Sequence, residues 1–445
     1  MISLLALLRI APDPFTVDDR IRYGRGRHGL TPAVTAAWTS GSVKQPPATH
    51  SATIRGTTER PPSVTDACRA IHYGRLMRVL VDASNLHVGG AVVVAASFID
   101  EVVQLHEGHE LEWIDELRIR VSSEVADELY RGVELKQLQH VKLALSSASP
   151  SLDFLLPSRT TWDAKFTVFG PSYSRREARL EVTGFADGSL FPTPHTCMRK
   201  NHLIQSRARR LAKLRLLRRY DAFVVETPAM AANIRHLTRS RPTYVVPNVV
   251  SATYRNPARW QPIPLPNRPH GAARVFYPAG GYPHKNHALI PAVCDSFARL
   301  TGRSLEVVTT LARDEMASIF PNSPAGVVNL GRINSATCAY VYSQTDALFF
   351  PSSNETFSSA PIEAMLLGKA VVAALNDFTE SFPPESYFGF APGDSDAAAY
   401  QLAMALDGSG KETRRVLKAQ EWSKGLPTPT DRARAYFALL RELGE

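Results

Sequence analysis

Ala347-Leu-Phe-Phe-Pro-Ser-Ser-Asn-Glu-Thr-Phe-Ser-Ser-Ala-Pro-Ile-Glu-Ala-Met-Leu-Leu-Gly-Lys-Ala-Val-Val-Ala373 holds an apolar run, a polar loop, a helical stretch and a second apolar run in succession. The first run reads as a buried strand ending at about Phe350. Pro361 sits where a helix can begin, because its missing N–H costs nothing there. Gly368 then closes that helix before the next strand. This reading places Glu355 in the loop at the strand's carboxyl end and Glu363 in the first helical turn. The N–H groups around Thr356–Ser359 lie at the positive end of the helix, a setting suited to a diphosphate. The two carboxylates are hydroxyl acceptors, suited to a sugar or ribose beside that anion. A capping box would make Glu363 purely structural, but the residue three places earlier is Ala360, which has no hydroxyl to offer.

The same alternation extends from Met77 to about Leu406. Strands are expected at Arg78–Val81, Leu117–Val121, Val141–Leu145, Phe166–Phe169, Ala222–Val225 and Tyr244–Val246. A second set follows at Val275–Tyr277, Leu305–Val308, Val327–Leu330, Ala347–Phe350 and Ala370–Ala374. Alternation of this kind predicts parallel sheets with helices on both faces. Between the sets, Asn256–Pro269 carries Pro257, Pro262, Pro264, Pro266 and Pro269 and reads as a linker. The expected organisation is an α/β chain with Rossmann-like domains at 77–250 and 271–425, a linker at 251–270 and a last helix at 426–445. Ligands of open parallel sheets bind beyond the strands' carboxyl ends, so two such domains facing each other enclose a cleft.

Composition sets the outer limits. The chain has 445 residues, a formal net charge of +9, 44% hydrophobic and 21% charged residues. That length suggests two or three domains of roughly 100–200 residues each, and the composition excludes a largely disordered, collagenous or coiled-coil chain. No run approaches the roughly 18–20 apolar residues needed to cross a bilayer. Met1–Leu8 is apolar but has no basic residue ahead of it and meets Arg9, so it reads against a secretion signal. Cys68, Cys197, Cys294 and Cys338 form no C-x-x-C pair, which argues against a disulfide framework or a zinc site and fits a reducing cytosol. Residues 1–76 scatter Pro among Ser, Thr, Gly and Arg without periodicity, so they read as disordered or as an extension ahead of a true start at Met77. Gly24-Arg-Gly-Arg-His-Gly29 formally matches G-x-G-x-x-G, but no strand precedes it and no helix follows, so a cofactor role is not expected.

Three further loops carry chemistry. Val275-Phe-Tyr-Pro-Ala-Gly-Gly-Tyr-Pro-His-Lys-Asn-His287 runs from a strand through Gly280-Gly281 to Lys285. A flexible loop ending in a cation can approach phosphate closely and neutralise charge on a departing diphosphate. Gly89-Gly90 follows the first strand, where small residues let backbone approach a ligand. Gly331-Arg332-Ile333 follows another strand of the second half.

On these residues the sequence resembles the retaining glycosyltransferases of family 4, which have the two-domain GT-B fold. The resemblance is strongest from Arg274 to Thr379 and weak in the first half. It aligns Glu355 and Glu363 with the family's E-x7-E pair. It implies that Glu355 faces the donor sugar's hydroxyls and Glu363 the nucleotide ribose, with Thr356 in the same loop and the N–H groups of Phe357 and Ser358 approaching the diphosphate. Lys285 is similar to the family's phosphate-binding lysine, although Gly280-Gly281-Tyr282 stands where the family often has an arginine. Gly89-Gly90 is similar to the loop that faces donor phosphates and acceptor, and Arg332-Ile333 sits where related enzymes hold the base.

His284 and His287, like His106 and His109, are spaced H-x-x-H but lack a third ligand nearby, so no metal is expected. Asp394-Ser-Asp396 is formally D-x-D, but it follows Pro392-Gly393 and reads as a turn and N-cap. From Met198 to Tyr220 nine Lys or Arg residues stand without an acid, a segment that attracts anionic surfaces. No aromatic platform is interleaved with them, which argues against nucleic acid.

The sequence therefore predicts a glycosyltransferase that moves a sugar from a nucleotide-sugar to a glycan or lipid-linked glycan, with retention, no cofactor and no metal. Glu355 and Lys285 would be catalytic. A cytoplasmic chain docked on an anionic membrane through 198–220 is the expected setting. A noncatalytic GT-B binding or scaffold protein is the alternative, and a sugar-nucleotide epimerase a weaker one.

Overall fold

The computed structural model describes residues 76–146, 157–186, 190 and 210–445, apart from 356, 377 and 409. The first sheet takes β1 (Met77–Ala83), β2 (Ile114–Val121), β3 (Val141–Leu145), β4 (Trp162–Thr167), β5 (Ala178–Phe185), β6 (Ala222–Val225) and β7 (Thr243–Val245) in the order β3-β2-β1-β4-β5-β6-β7. The second takes β8 (Ala273–Tyr277), β9 (Leu305–Thr309), β10 (Val327–Asn329), β11 (Ala347–Phe350), β12 (Ala370–Ala374) and β13 (Phe388–Phe390) in the order β10-β9-β8-β11-β12-β13. The strand pairings are parallel in both sheets.

Strands covered by helices on both faces must be apolar throughout, and β8, β11 and β12 are buried at every position. Two strands escape that signal. In β5, Arg179 and Glu181 interrupt the apolar run; Glu181 is buried all the same, and its carboxylate accepts the Glu177 N–H at 2.8 Å. A side chain at Gly184 of the same strand would put a Cβ 1.8 Å from the Val168 carbonyl oxygen, so the close passage of the loop after β4 requires glycine there. The other strand, β13, is only three residues long.

Four helices position the rest. Helix α1 (Gly90–Glu107) follows β1 and buries Phe98, Ile99 and Val102. Helices α2 (Ser335–Ser343) and α3 (Ser359–Leu366) flank β11 in the sequence. Helix α4 (Pro429–Gly444) starts with a Thr428–Asp431 capping box and ends the chain. It packs into the core of the first sheet, where the Tyr436 ring lies 5.1 Å from Phe98 and 4.9 Å from Phe166. Residues 251–270 are not a loose tether: Trp260, Ile263 and Leu265 pack on the second core, and Trp260 Nε1 donates to the Thr253 carbonyl at 3.0 Å.

The two halves touch directly. The Glu128 carboxylate accepts the Ser335 N–H at 2.8 Å and also the Ser335 hydroxyl, and the Arg259 guanidinium lies 4.1 Å above the Tyr130 ring. Residues 1–75, with the glycine pattern at 24–29, and residues 198–209 of the basic segment fall outside the described residues. No helix among the described residues is long and apolar enough to cross a membrane.

Candidate functional site

Each sheet reverses its strand order once, between β1 and β4 in the first and between β8 and β11 in the second. Ligands of open parallel sheets bind beyond the strands' carboxyl ends at such switch points. The loops after β1, β8 and β11 accordingly line one cleft of about 810 Å³.

Two helix N-termini open onto it. Gly89 has φ 73° and ψ −164°, a region that side chains exclude, and it begins α1 without any side-chain cap. A Cβ built on Gly90 would meet nothing within 4 Å, so its free side faces open space. Across the cleft, Phe357, Ser358, Ser359 and Ala360 line the wall at the start of α3, which also lacks a side-chain cap. Helix α3 begins at Ser359, two residues earlier than the position of Pro361 suggests. Pro361 is still within the first turn, whose N–H groups have no intrahelical partner, and Glu363 moves to the second turn. Gly368 ends the helix as expected, with φ 67°.

Glu363 is 5% exposed, yet it lines the cleft. The Tyr342 hydroxyl donates to its carboxylate at 3.3 Å, and Ser359 and Tyr254 also hydrogen-bond to it. Burial nonetheless raises this carboxyl above the ordinary range, against the pull of those hydrogen bonds.

Lys285 lines the cleft, and its Nζ lies 2.5 Å from Glu355 Oε1, which also receives the Ser352 hydroxyl at 2.5 Å. Glu355 is not among the residues that line the cleft. The sequence reading turns it toward a donor sugar; here it faces the lysine. The two loops are knit together, since the His284 carbonyl accepts the Ser353 N–H at 2.8 Å; within the first loop the Tyr277 hydroxyl donates to the Lys285 carbonyl at 2.6 Å.

Gly280, Arg332 and Ile333 line the cleft. Gly281 does not: its N–H donates to Glu315 at 3.1 Å, and a Cβ there would lie 3.0 Å from that side chain. Thr356 lies outside the described residues.

His287 is buried against Tyr277, and burial, opposed by the nearby Ala279 carbonyl, holds its imidazole down at about 4. Asp394 caps a helix, accepting the Ala397 N–H at 2.9 Å. No group of three metal-ligating side chains occurs among the described residues.

Sequence reasoning missed Tyr254, Tyr342, Glu226 and Asn248. Tyr254 precedes a proline-rich stretch, and Tyr342 lies in a helix with no marked apolar face. Nothing local marks either as a partner of Glu363. In chemical terms, the cleft sets two helix N-termini and a lysine around a space for an anion, with a hydroxyl-accepting carboxyl group beside it.

No protein-family model and no curated protein matches the chain. Solved structures do. A glycosyltransferase from Rickettsia africae ESF-5 is 12% identical, with a TM-score of 0.53 over 82% of this chain and 98% of that one. Anabaena HepE, in complex with UDP and glucose, is 16% identical with a TM-score of 0.54 over 82% and 99%. The sucrose-phosphate synthase from Thermosynechococcus elongatus is 15% identical with a TM-score of 0.54 over 82% and 98%. The fold is thus the two-sheet α/β GT-B architecture of these glycosyltransferases.

Proposed function

We propose that the chain is a retaining glycosyltransferase that takes a sugar from a nucleotide-sugar and places it on a glycan or lipid-linked glycan. The observation that carries this reading is the convergence of the uncapped N-termini of α1 and α3, Lys285 and buried Glu363 on one cleft. Oriented N–H dipoles and a cation would stabilise the charge that builds on a departing nucleoside diphosphate. Glu363 would accept ribose hydroxyls, and Glu355 would turn to the donor sugar once a diphosphate competes for Lys285. HepE has been solved with UDP-glucose, which supports a nucleotide-sugar as the donor class.

The charge work falls to helix termini and Lys285, so turnover needs neither a divalent ion nor a cofactor; loss of activity in EDTA, restored by a divalent ion, would contradict this. The basic segment 198–220 would dock a cytoplasmic chain on anionic lipid beside its acceptor. Unchanged binding to phosphatidylserine vesicles in a chain with Arg209, Arg210, Arg218 and Arg219 made Ala would count against that role.

The test is turnover. UDP-, GDP-, ADP- and CMP-sugars are incubated with the full chain and a glycolipid extract, and the nucleotide products are followed by phosphorus NMR. Release that depends on the extract, with the donor's anomeric configuration kept in the product, is expected. Isomerised donor without extract would point to an epimerase. The closed Lys285–Glu355 pair favours the noncatalytic alternative, for which no donor is consumed at all.

A further inference from the structure

We propose that Glu226 is the acceptor-binding residue of the cleft, its carboxylate receiving a hydroxyl of a sugar or other polyol. The assignment rests on the glycosyltransferase reading and adds an acceptor group from the first sheet. Glu226 follows β6, at the carboxyl end where ligands of such sheets bind. It lines the cleft on the side of Phe169, Val92 and Ala186, opposite the loops of the second sheet. His87, Glu124, Glu128 and Asn248 also line the first half's share of the cleft, and apolar lining with a small number of placed polar groups is the usual make-up of a small-molecule site.

The carboxyl is held in place from behind. Arg432 of α4 is 1% exposed, and its guanidinium donates to Asn248 Oδ1 at 2.5 Å and to Ser97 Oγ at 3.2 Å. Asn248 Oδ1 also accepts the Val249 N–H at 2.9 Å. With the oxygen end of the amide so occupied, its NH₂ end turns to Glu226, to which Asn248 hydrogen-bonds. A carboxylate offers about four acceptor sites, so one amide leaves capacity for a ligand.

A purely structural role would have Glu226 neutralise buried Arg432. Glu101, 6% exposed on α1, also acts on that charge, after Tyr436 and Glu226 itself, and the guanidinium N–H groups go to Asn248 and Ser97 rather than to Glu226. Burial pushes the Glu226 carboxyl up to about 7, with Arg432 and the Asn248 hydrogen bond opposing the shift. A carboxyl recruited to stabilise a buried cation would be expected to titrate low. The titratable groups around it are Arg432 and Tyr436 of α4, with Glu101 of α1 beyond the arginine.

The test uses the full chain with methyl glycosides of glucose, galactose, mannose and N-acetylglucosamine as probes, in the presence of the donor that stabilises the protein. Saturation-transfer NMR is expected to show at least one glycoside bound to wild type. Affinity should rise several-fold from pH 6 to pH 8 as the carboxyl ionises. Glu226→Ala should weaken that binding at least tenfold and Glu226→Gln should abolish its pH dependence. Both variants should keep the wild-type thermal shift with donor. Glycoside binding unchanged in Glu226→Ala, or absent from a wild type that still responds to donor, overturns the assignment. Loss of the donor shift in both variants also overturns it, because Glu226 would then be structural. A wild type that answers to no donor removes the parent reading, and the assignment falls with it.

Discussion

Lys285 and Glu355 come from loops after different strands, β8 and β11, yet their ammonium and carboxylate meet at 2.5 Å beside the cleft. The pair is largely shielded, with side-chain exposures of 16% and 7%, so its attraction is screened less than that of a surface pair. A diphosphate entering the cleft must compete with Glu355 for the lysine. Glu355→Gln is therefore expected to bind free nucleoside diphosphate more tightly than wild type in calorimetry, while transferring sugar more slowly. Lys285→Met should lower transfer by about 10²–10³-fold, the usual cost of one group aimed at developing charge. Equal nucleotide affinity in wild type and Glu355→Gln would mean that the lysine does not meet the phosphates.

Gly90 separates folding from function. Its Cβ position is empty to 4 Å and it opens a helix, so Gly90→Ala should keep or slightly raise the melting temperature. The added methyl would stand in the cleft where backbone approaches the ligand. Donor-induced stabilisation should fall in this variant without loss of stability. Gly89→Ala is expected to destabilise by about 1–3 kcal/mol, because its backbone angles exclude side chains. Urea denaturation of both variants, with and without donor, reads the difference.

Glu363 accepts from two tyrosines, each of which has a second partner. Tyr342 also donates to the Ala360 carbonyl, at 3.1 Å, and Tyr254 also hydrogen-bonds to Cys338. Glu363→Ala should therefore cost only about 0.5–1.5 kcal/mol, the net worth of a hydrogen bond whose partners are not left unsatisfied. Because burial favours the neutral carboxyl, Glu363→Gln should stay within about 1 kcal/mol of wild type, yet lose donor stabilisation. Chemical denaturation at neutral pH checks both.

Glu226 links pH to stability. Its carboxyl is raised from 4.5 to about 7 in the folded protein, so the fold favours the protonated form. The stabilisation is complete below the unfolded value and is lost as pH rises through the folded one. Glu226→Gln lacks this dependence. Its stability relative to wild type should increase by about 1–3 kcal/mol between about pH 5 and pH 8, the variant being the more stable at the upper end. A difference that stays flat across that range would contradict the raised carboxyl.

The legible parts of the fold are those where burial on both faces forces an apolar run. β3, β6, β11 and β12 fall where the sequence places them. β5 was hidden because Glu181 is buried with a partner four residues away, which no periodicity reports. In the site, glycines and the lysine were visible because local backbone needs mark them, and they do meet in one cleft, Gly281 excepted. The tyrosine companions of Glu363 and the Arg432–Asn248–Glu226 chain were not visible. They join residues more than 20 positions apart, and only the packing of α4 back onto the first sheet brings Arg432 to Asn248.

Thermal stabilisation of the full chain by UDP-, GDP-, ADP- and CMP-sugars, repeated with Glu363→Gln, tests the donor site most directly. Ligand that binds only the native state raises apparent stability by mass action, about 2.7 kcal/mol at a hundred times Kd. A shift with one nucleotide class that disappears in the variant is expected. No shift with any of the four, or an equal shift in wild type and Glu363→Gln, would contradict it.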